Sequence, residues 1–177
     1  MSGISGKAGK KKAAAACAAA VLLVAAVMVC LFGREKSAKK YTVGEGVAYG
    51  DITEFCSTYY NINYGALYVR FRFYAEDGKL FLEYEKGERP DGYGPLTEDD
   101  RTEFFTRELT DAERDAFFGL LKGGTVAERE DGAESGASGP WYYLYWKGDR
   151  EKYREYTFES AEKEREFSGF CGSLSGK

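Results

Sequence analysis

Residues 67–85 read LYVRFRFYAEDGKLFLEYE. Leu67, Val69, Phe71, Phe73 and Ala75 alternate with Tyr68, Arg70, Arg72 and Tyr74, the period of two shown by a half-buried strand. Asp77-Gly78 marks a two-residue turn, because both of its central positions need positive φ. That turn sets Ala75 opposite Leu80, Phe73 opposite Leu82 and Phe71 opposite Tyr84 on the inner side. On the outer side Arg72 meets Glu83, Arg70 meets Glu85 and Tyr74 meets Phe81. Opposite charges coincide twice, and a slip of one residue would misplace every side chain, so the pairing supports the register. An isolated Arg72–Glu83 pair is worth about 0.2 to 1 kcal/mol, and exchanging its charges is expected to restore most of the loss from reversing one.

Before the hairpin, ITEFCSTYYNINY (52–64) reads as another strand, with two faces about equally apolar. Residues 86–102, with Pro90, Gly92, Gly94 and Pro95, read as an acidic loop without calcium-ligand spacing. EFFTREL (103–109) reads as a strand leading into a helix over 111–122. Thr110 and Glu113 form a T-x-x-E capping box there, Ala112, Ala116, Phe117, Leu120 and Leu121 make its apolar stripe, and Gly123 closes it. A short strand is expected within 125–130, then a flexible loop over 131–140.

The last third repeats the plan. WYYLYW (141–146) and EKYREYTF (151–158) flank Gly148-Asp149 as a second hairpin. A helix follows from about Ser160, with Phe167, Phe170, Cys171 and Leu174 on one stripe. The expected fold is therefore a small α+β domain, an antiparallel sheet of two hairpins plus extra strands with two helices packed on one face.

Upstream lies a different kind of segment. Residues 13–32, AAAACAAAVLLVAAVMVCLF, are twenty uncharged residues between Lys10-Lys11-Lys12 and Arg34. Twenty residues of helix span about 30 Å, the thickness of a bilayer core, so the segment reads as a single transmembrane helix. Cleavage is disfavoured, because Leu31 and Val29 stand where a signal-peptide or lipoprotein site needs small residues. The organisation is then a disordered basic tail (1–12), the transmembrane helix (13–32), a juxtamembrane linker (33–40) and an acidic domain (41–177). The lysines abutting the apolar run favour a cytoplasmic N-terminus and an extracytoplasmic domain.

Charge divides at the same place. Residues 1–40 hold eight Lys or Arg and one acidic residue, a balance of +7, and subtracting it from the overall −4 leaves −11 for residues 41–177. An acidic surface repels phosphate backbones, so no nucleic-acid partner is expected. There is no histidine, and no Walker, nucleophile-elbow or dinucleotide-binding motif appears, so neither catalysis nor a cofactor or metal site is expected. The residues that draw attention are Trp141, Tyr143, Tyr145 and Trp146, an aromatic face edged by Lys152 and Arg154 that fits a protein, peptide or glycan partner. Cys56 and Cys171 form a candidate disulfide if the domain is exported. The expected role is a membrane-anchored extracytoplasmic binding or interaction module, with an accessory subunit of a membrane complex or a carboxylate-dependent enzyme as alternatives.

Overall fold

The computed structural model describes residues 39–61, 65–89, 96–128, 139–147 and 154–176. The transmembrane reading of 13–32, like the basic tail and most of the linker, lies outside these residues. Among the described residues no helix is long and apolar enough to cross a membrane.

The elements run β1 (Tyr41–Thr42), β2 (Ile52–Asn61), β3 (Ala66–Glu76), β4 (Lys79–Arg89), β5 (Arg101–Glu108), α1 (Asp111–Leu121), β6 (Thr125–Ala127), β7 (Trp141–Trp146), β8 (Arg154–Thr157) and α2 (Ala161–Ser175), with short 3-10 turns at Tyr49–Asp51 and Glu98–Asp100. The strands form one eight-stranded sheet in the order β1-β6-β8-β7-β2-β3-β4-β5, every neighbouring pair antiparallel. With its two helices this is the expected α+β domain.

The β3–β4 hairpin has the register read from its turn. Asp77 and Gly78 both take positive φ, 50° and 78°, and Ala75, Phe73 and Phe71 pair with Leu80, Leu82 and Tyr84. The expected loop starts later than the composition indicated, because β4 continues to Arg89 through Lys86, Gly87 and Glu88. Arg101–Glu108 then adds to β4 as the outermost strand.

Both helices begin on side-chain caps. Thr110 accepts from the Glu113 amide while Glu113 bonds the Thr110 backbone, and Ser160 accepts from the Lys163 amide. On α1 the buried stripe is narrower than its apolar spacing implied. Phe117 and Leu121 are buried and Phe118 and Leu120 pack at their edge, while Ala112 and Ala116 are exposed, having too little side chain to reach the sheet. On α2, Phe167, Cys171 and Leu174 face inward. Gly124 lets the chain pass under Tyr156, whose hydroxyl donates to the Leu121 carbonyl at 3.0 Å; a Cβ there would collide with that hydroxyl.

Phe55, on β2, sits where these elements converge. Its ring is fully buried and lies 5.2–6.4 Å from the rings of Phe73 on β3, Tyr142 on β7, Tyr156 on β8, Phe117 on α1 and Phe167 on α2. Removing it opens a cavity bounded by rigid strands, which resists collapse. Phe55→Ala is expected to cost about 3 to 5 kcal/mol in chemical denaturation of a 39–177 fragment, which is itself expected to melt cooperatively. The exposed control Phe104→Ala should stay within about 0.5 kcal/mol of the parent. A non-cooperative parent, or equal losses in both variants, would contradict this packing.

Candidate functional site

Strand alternation gives the sheet two unlike faces. The helices cover one, and among the described residues no helix covers the other. On β7 the open face receives Trp141, Tyr143 and Tyr145, all half-buried, whereas Tyr142, Leu144 and Trp146 turn toward the helices and are buried. Trp146 thus does not join the expected aromatic face. It is 7% exposed, and its ring meets Tyr41 edge-on at 5.4 Å. Arg154 leaves the platform for the same reason: it pairs in register with Leu144 on the helix side and bonds Glu128 at 2.8 Å. Lys152 lies outside the described residues.

Register carries the open face across the sheet in rows. Tyr145 lies beside Glu54, Tyr74 and Phe81; Tyr143 beside Cys56, Arg72 and Glu83; Trp141 beside Thr58, Arg70 and Glu85. Through the middle rows runs a continuous ladder of ion pairs. Arg72 bonds Glu54 at 2.8 Å and Glu83 at 3.4 Å, Arg70 bonds Glu83 at 3.0 Å and Glu85 at 2.9 Å, and Arg101 bonds Glu85 at 3.0 Å. Three guanidiniums and three carboxylates alternate, so the ladder is neutral within an acidic domain. Arginine suits this role because its planar fork spans two carboxylates at once. Aromatic rings flank both ends: Arg72 lies 4.6 Å over Tyr74, which stacks on Phe81 at 5.5 Å, and Arg101 lies 4.7 Å over Phe104.

At the Arg101 end the face deepens into a cleft of about 580 Å³ lined by Tyr60, Tyr68, Arg70, Glu85, Thr97 and Arg101. Tyr60 and Tyr68 meet edge-on at 6.5 Å along one side. The opposite wall, Leu96–Asp100, is pinned by Arg89, whose Nε donates to Asp100 Oδ1 at 3.1 Å, and by the Thr97–Asp100 capping box. These contacts hold the Asp100 carboxyl well below its usual range, Arg89 contributing most. The cleft falls in the size range of ligand pockets.

The electrostatics tell against a nucleophile here. Burial pushes the Cys56 thiol up to about 12, helped by the negative charge of Glu54 and by the thiol's 3.3 Å hydrogen bond to that carboxylate. Burial also raises Glu54, but hydrogen bonds from Arg72 and Cys56 and the charges of Arg72 and Arg70 outweigh it and keep the carboxylate ionised. No group of three or more Cys, Asp or Glu among the described residues is arranged to hold a metal ion. Cys171 faces the sheet from the helix side while Cys56 lies on the open face, so the two stand on opposite sides of the sheet, both as free thiols, and the candidate disulfide is absent from the structure.

The ladder and the cleft were not anticipated from the sequence. A signal existed in the matching parity of Glu54, Cys56, Thr58 and Tyr60, which places them beside Arg72 and Arg70 once β2 pairs with β3. No protein-family model, curated protein or solved structure matches the chain.

Sharing of carboxylates changes the expected outcome of the charge exchange. Arg72→Glu should cost about 1 kcal/mol, but adding Glu83→Arg sets the new arginine against Arg70 and leaves the new glutamate against Glu54, so less than half the loss should return. Full recovery in a denaturation cycle would mean an isolated pair. For the thiols, a folded 39–177 fragment should react with maleimide at pH 8 at least about a hundredfold more slowly than a free cysteine, since almost no thiolate is present. Unfolded without reductant, it should take up two labels; none would reveal a bridge.

Proposed function

We propose that this chain is a single-pass membrane protein, anchored by residues 13–32, whose domain is an extracytoplasmic binding module working through the open face of the sheet. The observation that carries the reading is the juxtaposition of Trp141, Tyr143 and Tyr145 with a neutral, paired ion ladder and a cleft on a face that no described helix covers. Paired charges resist a lone ion, which would have to break a bridge to bind. They still offer spare guanidinium N–H donors and carboxylate lone pairs to a polar, uncharged surface, while the rings supply apolar contact. The twenty-residue apolar run and the lysines before it support the anchor and its orientation.

Two measurements test the reading on the full chain in its native membrane. A cysteine placed at exposed Asp115 should react with a membrane-impermeant maleimide on intact cells; protection until lysis would put the domain on the other side. A photo-crosslinking residue at Tyr143 should give a discrete adduct that the same residue at Asp115 does not give. Identical patterns from both positions would contradict binding through the open face.

A further inference from the structure

We infer that β5, the long free edge of the sheet, is a pairing surface for a second copy of this chain. Among the described residues the sheet ends in two very different edges: two-residue β1 and eight-residue β5, on whose outer side no described strand lies. An open edge of that length presents unpaired backbone groups, and proteins that keep such edges solitary blunt them with proline, bulges or charge. β5 does carry charge, at Arg101, Glu103, Arg107 and Glu108, but each is held within its own copy by Glu85, Lys86, Glu113 and Lys79. From Glu103 to Glu108 β5 has no proline, and the one bulge against β4 precedes this stretch. Phe104, 50% exposed, is the large apolar side chain that the described surface leaves most open, and it stands on this edge.

The backbone phase determines which groups face outward. Leu109 donates to the Leu80 carbonyl at 2.8 Å, so the odd positions of β5 bond to β4, while Phe104, Thr106 and Glu108 turn their N–H and C=O groups away. Two antiparallel copies related by a two-fold axis normal to the sheet must therefore pair even with even and odd with odd, keeping each face continuous. Of the registers that remain, the one centred on Phe105 is self-complementary. It sets Glu103, which pairs with Lys86 in its own copy, opposite Arg107, which pairs with Glu113, so that no like charges meet, and it sets Phe104 opposite Thr106 twice and Phe105 opposite its own copy. Moving the centre to Phe104 sets Arg101 against Arg107 and Glu103 against Phe105, and moving it to Thr106 sets Arg107 against Phe105.

The interior of each copy leads to the same register. On the helix side, Phe71, Tyr84 and Phe105 form a row with ring separations of 5.0 and 5.2 Å that runs out to the edge. Phe71 and Phe105 are only partly buried there. Pairing at Phe105 continues that row into its symmetry mate. On the other face the two Phe104 rings become diagonal neighbours, a spacing within reach of aromatic side chains. The ladder is short, so the association is weak and depends on concentration.

The test uses the full chain in detergent micelles with its four native cysteines replaced. Sedimentation should show a monomer–dimer equilibrium, and Thr106→Pro, which deletes an outward N–H without touching the β4 ladder, should weaken dimerisation by at least about tenfold while the melting temperature, measured at a dilution where both chains are monomeric, stays unchanged. An equimolar mixture of Phe104→Cys and Thr106→Cys chains, both altered at exposed positions, should oxidise to a mixed disulfide dimer more readily than either chain alone. A monomer at every attainable concentration, a dimer indifferent to Thr106→Pro, or preferential self-linking of Phe104→Cys would overturn the inference.

Discussion

Phe55 is where the sheet becomes one object. Three strands and both helices contribute a ring to its surroundings, and those rings come from positions between 73 and 167 in the chain. Such contacts add about 0.5 to 1.5 kcal/mol each beyond the area they bury. Because β2 lies between β3 and β7, burying Phe55 joins the N-terminal meander to the C-terminal hairpin and draws α1 and α2 onto the same side. Among the described residues no helix covers the opposite face, and what stands there follows from strand parity.

That second face is built to stay soluble while carrying large side chains. Its arginines and glutamates lie down across one another, covering the aromatic stems beside them. Their charges cancel within the ladder, so the excess negative charge of the domain sits elsewhere. A neutral, half-buried surface with rings at its borders differs from both a core and an ordinary charged exterior. The proposed role as a binding face rests on that difference, and the self-pairing edge lies at its margin.

Much of this was legible in the sequence. The β3–β4 register followed from the positive-φ turn at Asp77-Gly78 and from coincident charges, the start of α1 from its Thr110–Glu113 capping box and the place of α2 from its apolar spacing, because each is a local constraint. The position of β2 was not legible: its two faces are equally apolar, and its neighbour β7 lies some ninety residues away, a distance over which only tertiary packing decides. Proximity in sequence groups Trp146 with the aromatic face, whereas the alternation of β7 turns it with Tyr142 and Leu144 toward the helices, and Arg154 follows Leu144 to the same side. The ion ladder was read as two separate pairs because the Arg70–Glu83 bond that joins them runs diagonally between neighbouring rows of the hairpin, and Glu54 and Arg101, which extend the ladder at its two ends, belong to strands whose neighbours were unknown. The apolar run 13–32 bears on the anchor through its length and charge flanks, outside the described residues.

The account depends on the two faces being physically distinct, and the two tryptophans report one from each. Acrylamide quenching of single-tryptophan variants, Trp146→Phe retaining Trp141 and Trp141→Phe retaining Trp146, measures their accessibility directly. Trp141 on the open face should be quenched more strongly and emit further to the red than Trp146, which is 7% exposed under the helix layer. Equal quenching, or stronger quenching of Trp146, would contradict the assignment of faces on which the candidate site is built.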